Sequence, residues 1–509
     1  MGAGFRLIGV GWRLARQDAL LPRELEATFP PALRLFARVL RGLTGPGPRS
    51  GRPGERLARA LETLGPIAIK FGQLLSTRAD IFGLAFAQDL ARLKDQLAPF
   101  PMDQARHAVE HSLGRPLEAL FQEFGPPVAA ASLAQAHSAV LRDGRRVAVK
   151  ILRPGVEAQV ARDSEVLRLA GRLAETLLPL ARRLEPLALV ETVIAATELE
   201  LDLRLEAAGG DELGEVMARD GYMSAPKIIW EGVGKRVLTL EWARGMALSD
   251  PAALAQPGLD RPALAGRLIQ AFLAQALDHG VFHADLHEGN LFVSAPAQIE
   301  AVDFGIIGRL NPEGRRYLAE ILWGFLERDY ARVARVHFDA GYVPSHHDSA
   351  IFAQALRAVG EPVFGRSAQD VSMSRVLIQL FEITALFDMK LRPELVLLQK
   401  TMMTAEGVAR HISPDLDIWA AADPVVRRWM LRELSPLSQV KRFADQAVSA
   451  LRNLTALLEA EGRSPSSAMT AQAARPSPRT LIWAGLAGAA LTLVTGALLT
   501  VILTLHLLG

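Results

Sequence analysis

His283-Ala284-Asp285-Leu286-His287-Glu288-Gly289-Asn290 is the first of two segments that decide how this chain is interpreted. The second is Asp303-Phe304-Gly305, which begins thirteen residues after Asn290. Asp303 follows an apolar run, where a buried strand would deliver a carboxylate to a metal ion. Asn290 adds an uncharged oxygen, and oxygen ligands of both kinds suit Mg²⁺. Asp285 stands where a carboxylate would orient or deprotonate an attacking group. The two segments together predict a site for phosphoryl transfer.

A third segment, Val147-Ala148-Val149-Lys150, predicts a strand whose lysine meets the α- and β-phosphates of a nucleotide. Such a lysine needs a carboxylate partner on a nearby helix, and Glu206 is the expected one, with Glu198 and Glu200 as competitors. Each motif by itself is a weak signal. Their occurrence together, in the order and on the kinds of element that phosphoryl transfer requires, is a strong signal.

The elements around these motifs predict the fold class. From Val128 the pattern indicates a strand, a turn at Asp143–Gly144 and a second β-rich strand. One long helical region is expected from Val156 to about Glu206, another strand within Lys235–Gly245, and mostly helices afterwards. The prediction is an α+β, protein-kinase-like fold with two lobes, a small β-rich lobe preceding a larger helical one.

Two features differ from an ordinary protein kinase. The phosphate-covering loop reads Ala129-Ala130-Ala131-Ser132 in place of glycines, and methyl groups limit the approach of backbone N–H groups to phosphate. Only about six residues separate Gly305 from a helix expected near Pro312, which leaves no room for an ordinary activation segment. We therefore expect an unusual nucleotide pose, weak phosphotransfer and little platform for a protein substrate.

With Lys70-Phe71-Gly72-Gln73 and Glu200-Leu201-Asp202, the motifs resemble the UbiB family of atypical kinases, which acts in ubiquinone biosynthesis. The resemblance covers roughly Leu61 to Arg410. It implies a helical N-terminal extension over the cleft, an Ala-rich nucleotide loop, ATP with Mg²⁺ as cofactors, and support of membrane-bound steps of quinone assembly. Lys70 and Gln73, at i and i+3 of a helix, would reach into the cleft. On spacing alone, Lys70 would be a surface lysine.

The expected site is therefore composed as follows. The catalytic residues are Asp285, Lys150 and Lys70. The ATP-binding residues are Ala129, Ala130, Ala131, Ser132, Lys150, Glu206, Gln73, Glu200 and Asp202. The Mg²⁺ ligands are Asn290 and Asp303. His283 and His287 are either metal ligands or, as we favour, histidines that brace the loop. Ile81-Phe82-Gly83 departs from the family's proline-bearing turn after Arg78-Ala79-Asp80.

Composition excludes several classes of function. At 509 residues, two or more folded units are expected. The chain has no cysteine, which rules out disulfides, thiolate metal sites and cysteine nucleophiles, and a net charge of +2 gives no indication of nucleic acid.

The region before Ala60 is basic, with eleven arginines and four carboxylates, so it either contacts anionic lipid or is a solvated helix face. The arginine-interrupted N-terminus does not resemble a signal peptide.

The C-terminus predicts membrane attachment. No charged residue occurs from Leu481 to Leu508, and about 20 helical residues cross a bilayer core. Trp483 lies at an interfacial position, and Arg475 and Arg479 favour a cytoplasmic location for the preceding domains. A hairpin of two short helices is the alternative. We expect the bacterial inner membrane as the location.

The expected domains are an N-terminal helical extension (1–125), a kinase-like N-lobe (126–245), a helical C-lobe (246–445), a linker (446–479) and a transmembrane helix (480–508). The function expected is an ATP-dependent kinase or ATPase that supports ubiquinone biosynthesis. Its partners would be ATP, membrane lipids, polyprenyl-phenol intermediates and other biosynthetic proteins, but no nucleic acid. The alternative is a nucleotide-regulated pseudokinase scaffold. A hydroxylase is disfavoured because no dinucleotide motif or iron site is evident.

Overall fold

The computed structural model describes residues 3–19, 23–24, 31–45, 51–76, 84–90, 93, 98–177, 185–361, 383, 386–389 and 393–433. Its helices are α1 (Ala3–Arg16), α2 (Pro31–Thr44), α3 (Pro53–Glu62), α4 (Pro66–Ser76), α5 (Leu84–Leu90), α6 (Met102–Leu113), α7 (Val156–Leu177), α8 (Pro186–Glu200), α9 (Leu203–Asp220), α10 (Arg261–Ala274), α11 (Pro312–Leu326), α12 (Tyr330–Asp339), α13 (Ser349–Gly360), α14 (Pro393–Ile412) and α15 (Ile418–Glu433). Its strands are β1 (Phe121–Ala130), β2 (Ala134–Leu141), β3 (Arg146–Leu152), β4 (Val237–Glu241), β5 (Met246–Ala247), β6 (Val281–His283), β7 (Leu291–Ser294), β8 (Gln298–Ala301) and β9 (Ile307–Arg309).

Strands β1 to β4 form an antiparallel sheet in sequence order. The β2–β3 turn was predicted correctly, and Gly144 there has φ +87°, a conformation that glycine adopts without steric cost. In β3, Val147, Val149 and Ile151 are fully buried. Because side chains alternate along a strand, Lys150 lies on the opposite face of the sheet. The hydrophobic alternation of β3 therefore determines which way this lysine faces.

The helical region predicted from Val156 to about Glu206 is present, but as three helices, α7, α8 and α9, and the expectation that one helix carries both Glu200 and Glu206 is wrong. Helix α8 ends at Glu200, and α9 begins at Leu203. Asp202 is the N-cap of α9, where its carboxylate accepts a hydrogen bond from the backbone N–H of Arg204 at 3.1 Å. Aspartate is favoured at this position over a helix interior, which explains the break. Glu200 and Glu206 consequently belong to different helices.

The part of the chain after β4 is mainly helical, as predicted, and β8 is the strand expected before Asp303, whereas the other short strands there were not predicted. Helix α10 lies in the largest hydrophobic core, continues into a π-helical turn at Gln275–His279, and packs against α14 and α15. Strands β5, β7 and β8 form one small sheet, and β6 pairs with β9 in another. These strands hold both ends of the loops that contain Asp285 and Asp303. The overall class is α+β.

One predicted domain boundary falls inside a strand, and several other predicted segments lie outside the described residues. The expected domain boundary at residue 126 lies inside β1, which begins at Phe121. The segment at 77–83, the linker at 446–479 and the predicted span at 480–508 lie outside the described residues. Within the described ranges, no helix combines the length and apolar character needed to cross a membrane.

Candidate active site

Lys150 lies at the centre of a cluster of charged side chains. Its Nζ is 2.7 Å and 2.9 Å from the two carboxylate oxygens of Glu206, and 3.2 Å from Oδ1 of Asp303. The ion pair expected between Lys150 and Glu206 is thus present, whereas Glu198 and Glu200 do not form it. Strand β3 supplies the lysine, helix α9 supplies Glu206, and the loop between β8 and β9 supplies Asp303.

This arrangement shifts the pKa values of all three groups. The pKa of Glu206 is raised to about 7, mainly by burial and further by repulsion from Asp303 and Glu200. The positive charge of Lys150 offsets only part of this increase. The Lys150 ammonium holds the pKa of Asp303 well below its usual range, with smaller contributions from Lys70 and the Gly305 N–H. Burial alone would lower the pKa of Lys150, but the charges of Asp303 and Glu206 outweigh it and raise that pKa. The Lys150 ammonium therefore forms ion pairs with both carboxylates, Glu206 and Asp303.

Helix α9 approaches the Asp303 loop closely because it carries two successive glycines. A Cβ at Gly210 would lie 2.8 Å from the Phe304 ring, and one at Gly209 would collide with Ile307. Asp303 itself has φ +62°, a left-handed conformation that aspartate tolerates better than most residues. Its Oδ1 also accepts the Gly305 N–H at 3.3 Å. Glycine packing and local backbone conformation together bring Asp303 within reach of Lys150.

The loop that carries Asp285 is held by its own side chains. The Asn290 amide nitrogen donates to the Asp285 carbonyl oxygen at 3.0 Å, which leaves the amide oxygen of Asn290 for a cation. Asn290 is mostly buried, while the Asp285 side chain remains partly accessible, with 31% exposure. Asp285 and Asn290 are therefore joined in one rigid loop, with the carboxylate on its accessible side.

Both histidines of this loop make bonds within the protein. His283 Nε2 donates to the Val302 carbonyl at 3.1 Å, while its Nδ1 accepts the Asp285 N–H at 3.1 Å. Burial lowers the pKa of His283, so the ring is neutral and matches this tautomer. His287 Nδ1 accepts the Gly289 N–H at 3.0 Å. These contacts favour the bracing interpretation over metal ligation.

Helix α14 contributes two residues that the sequence analysis missed. Lys400 Nζ lies 3.6 Å from Oδ1 of Asp285. The neighbouring Thr401 is fully buried and donates to the Ala284 carbonyl at 3.2 Å. Neither residue belongs to a recognisable motif, and Thr401 and Ala284 are 117 residues apart. The packing of α14 against α10 brings them to the loop, so no local sequence signal could have identified them.

The Ala-rich loop forms a tight link between β1 and β2. The Ala131 N–H donates to the Ala134 carbonyl at 2.8 Å, and Arg153 Nε donates to the Ala131 carbonyl at 2.8 Å. Ser132 is fully buried, whereas Ala129 is exposed. Both backbone groups of Ala131 therefore already have partners, and contacts of residues 129–132 with a nucleotide stay a prediction.

The residues assigned from the N-terminal extension and from the α8–α9 junction lie beside this cluster. Lys70 Nζ is 2.8 Å from Oε2 of Glu200, and both side chains are about one-fifth exposed. Helix α4, which carries Lys70 and Gln73, packs against α8. Asp202 instead caps α9 and pairs with Arg204 at 2.6 Å. The structure thus places Lys70 and Glu200 together at the site's edge and engages Asp202 elsewhere.

The donor set fits a magnesium-bound nucleotide by its chemistry. Asp303 is charged and half exposed, and Asn290 offers an amide oxygen one loop away. Carboxylate and amide oxygens are ligands that Mg²⁺ accepts. Lys150 is a fixed cation of the kind that contacts phosphate oxygens. The chain has no cysteine thiolate, and the histidines of the loop make hydrogen bonds within the protein, so a hard cation suits this site best.

The chain is similar to known proteins over most of its length. The model of the ABC1 atypical kinase-like domain matches residues 92–337, and that of the UbiB helical domain matches residues 356–417. A Marinobacter nauticus protein named "Probable protein kinase UbiB" is 38% identical over 453 residues, covering 88% of this chain and 82% of its own length. The chain belongs to the UbiB family. A Cellvibrio japonicus UbiB protein is 40% identical over 440 residues, covering 85% and 78%.

A solved structure supports the same fold. The complex of a Mycobacterium tuberculosis protein with erythromycin matches with a TM-score of 0.50 and 22% identity, over 77% of this chain and 95% of the other. At that identity the likeness concerns the fold alone. The UbiB-family assignment from sequence is confirmed, and with it the α+β, kinase-like fold.

Proposed function

We propose that this UbiB-family protein binds ATP with Mg²⁺ and uses it, as an ATPase or a small-molecule kinase, to support ubiquinone biosynthesis at a bacterial inner membrane. The observation that carries the proposal is the convergence of Glu206 and Asp303 on Lys150. A lysine paired with a helix carboxylate beside a metal-binding aspartate is the arrangement that phosphoryl transfer requires.

In this proposal each side chain has a separate task. Lys150, held by Glu206, contacts the α- and β-phosphates, and Asp303 with the amide oxygen of Asn290 holds the metal ion. Bound Mg²⁺ would neutralise charge on the phosphates. Asp285 accepts a proton from the attacking hydroxyl or water at its carboxylate. Lys400, whose Nζ lies 3.6 Å from that carboxylate, orients it. Lys70 with Gln73, from α4, closes one edge of the nucleotide site.

The substrate side of the proposal rests on two further features. Only the short β9 lies between Gly305 and α11 at Pro312, so there is little surface on which a protein substrate could be held in place. Together with the uncharged segment at 480–508, this favours a membrane-bound polyprenyl-phenol as the molecule acted on. The catalytic part would then lie on the cytoplasmic side.

The test is phosphate release by the full chain with ATP and Mg²⁺ in lipid. Asp285→Asn and Asp303→Asn should each reduce the rate strongly. Asp211→Asn, the same chemical change at an exposed position of α9, is the matched control and should leave it unchanged. Unchanged turnover in both site variants would show that the assigned site is wrong.

A nucleotide-regulated scaffold is the second candidate, and a specific observation favours it. The Ala131 N–H is used within the β1–β2 hairpin, so this loop has one donor fewer for phosphates than a glycine-rich loop. Complementation of a quinone-deficient strain separates the two functions. Full rescue by Asp285→Asn would support the scaffold, whereas loss of rescue with normal protein levels would support catalysis.

A further inference from the structure

The two N-terminal helices expose large apolar side chains along one side of each. In α1 these are Phe5, Ile8 and Trp12, and in α2 they are Leu35, Val39 and Leu43. Exposure reaches 70% at Ile8 and 68% at Leu43. The spacing of three or four residues places each set on a single helical face. Exposed apolar faces of this kind mark sites of interaction.

Charged groups attach the two N-terminal helices to the rest of the protein. Asp18, only 6% exposed, lies 3.3 Å from Arg56 of α3 and 3.4 Å from Arg41 of α2. Arg56 is itself buried and also binds Glu24 at 2.7 Å. Arg13 of α1 donates to the Thr63 carbonyl, after the end of α3, at 3.1 Å. These polar contacts hold the two helices to the protein, while the apolar stripes remain exposed.

An amphipathic helix on a water-exposed protein surface covers a core with its apolar side, whereas these six apolar side chains are exposed. An amphipathic helix at a membrane interface has its apolar side in lipid and basic residues nearby. Residues 1–59 contain eleven arginines and four carboxylates, and Arg16 and Arg38 are exposed on the two helices. A bilayer with anionic headgroups offers an apolar layer and negative charge together.

We propose that α1 and α2 form a docking face that inserts its six apolar side chains into an anionic phospholipid bilayer. This attachment is separate from the predicted C-terminal span. Because α1 and α2 are joined through Asp18 and Arg56 to α3, which packs on α4, docking positions the Lys70 helix relative to the membrane. The proposal extends the proposed function but does not require ATP turnover.

The absence of cysteine from the chain allows a direct test. Ile8→Cys and Leu43→Cys each create a unique site for a spin label in the full chain, placed in nanodiscs that contain phosphatidylglycerol. Ile351→Cys, on an apolar residue of α13 that is 59% exposed, is the matched control. Collision of each label with oxygen and with a water-soluble nickel chelate measures its depth.

The labels at positions 8 and 43 should collide more with oxygen than with the nickel chelate, which corresponds to a depth of about 5–10 Å in the bilayer. The label at position 351 should collide more with the nickel chelate. In nanodiscs of phosphatidylcholine alone, collisions of the labels at positions 8 and 43 with the nickel chelate should increase relative to those with oxygen. Nickel access at 8 and 43 in both lipids overturns the proposal. Protection from both reagents also overturns it, because the face would then be covered by protein, either a second copy or residues 434–509. ATP turnover of the labelled chains reports the proposed function independently.

Discussion

The ammonium group of Lys70 lies 2.8 Å from Oε2 of Glu200, and this pair joins the N-terminal helical region to the helix that precedes the candidate site. Lys70 also contributes to the low pKa of Asp303. The N-terminal region is therefore electrostatically linked to Asp303, the proposed metal ligand. This is how a residue far from the catalytic loop in sequence can influence nucleotide binding.

Glu200→Gln should loosen α4. The substitution removes the charge that pairs with Lys70 while keeping the shape of the side chain, so local opening of residues 66–76 becomes easier. We expect hydrogen exchange in that helix to accelerate about fivefold, or roughly 1 kcal/mol for a half-buried pair. Exchange measured by mass spectrometry checks this. Glu215→Gln, at an exposed position of α9, is the control, and equal rates in both variants would contradict the link.

Lys150→Met should weaken ATP binding by roughly 10- to 100-fold, since one charge-assisted hydrogen bond contributes about 1.5–3 kcal/mol. The variant also leaves Glu206 buried without its cation, and Glu206 should then take up a proton. Calorimetric titration with a non-hydrolysable ATP analogue and Mg²⁺ measures the affinity, and circular dichroism verifies folding. Wild-type affinity in a folded variant would place the nucleotide elsewhere.

Binding of ATP with Mg²⁺ should depend on pH through Glu206. Burial and, to a smaller extent, repulsion by the Asp303 carboxylate together raise its pKa to about 7. A cation at Asp303 removes that repulsion, so the pKa of Glu206 falls on binding and a proton is released. Affinity should accordingly increase as pH rises from about 6 to about 8. Titration calorimetry in buffers of different ionisation enthalpy counts the proton, and Glu206→Gln should abolish its release.

Lys400→Met should reduce the maximal rate of ATP turnover more than the apparent affinity for ATP. Lys400 contacts Asp285 at 3.6 Å and is distant in sequence from the nucleotide lysine. Loss of its charge should disturb the carboxylate that receives the proton, at a cost of roughly ten- to hundredfold in rate. Lys227→Met, at an exposed lysine, serves as the control. A change confined to KM would show that Lys400 acts on nucleotide binding instead.

Acidification should destabilise the fold through His283. Burial lowers the pKa of this histidine, so the folded protein keeps it neutral while the unfolded chain binds a proton below pH of about 6.5. The unfolded state then holds more protons, and stability is lost as pH falls through that value. Melting temperatures at pH 7.5 and 5.5 measure the loss. His283→Gln should show a smaller loss, and an unaltered pH slope would exclude this role.

Much of the fold was predictable because it depends on local patterns. Alternating apolar residues in β3 identify a strand and the face on which Lys150 lies. Asp143–Gly144 identifies a turn, and Pro312 the start of a helix, since each residue restricts its own backbone. The helical region before Glu206 was predicted correctly, but its division between α8 and α9 was not, because helical periodicity continues across Asp202 and only the capping bond of Asp202 marks the start of α9.

The candidate site was predictable in part. The motif residues Lys150, Asp285, Asn290 and Asp303 are recognisable because their spacing and the strands before them recur wherever this chemistry occurs. Lys400 and Thr401 have no such context. They reach the loop because α14 packs beside α10, and that packing follows from apolar surfaces that many helices share.

The order of the motifs, the strand alternation, the turns and the excess of arginine before Ala60 were determined by the sequence itself. The tertiary structure selected Glu206 over Glu198 and Glu200 as the partner of Lys150. It alone revealed the pairs of Lys70 with Glu200 and of Lys400 with Asp285. The outward direction of the apolar faces of α1 and α2 was decided there too. The physical reason is distance along the chain. Backbone preferences act between neighbours, whereas ion pairs and packing join residues that only the folded chain brings together.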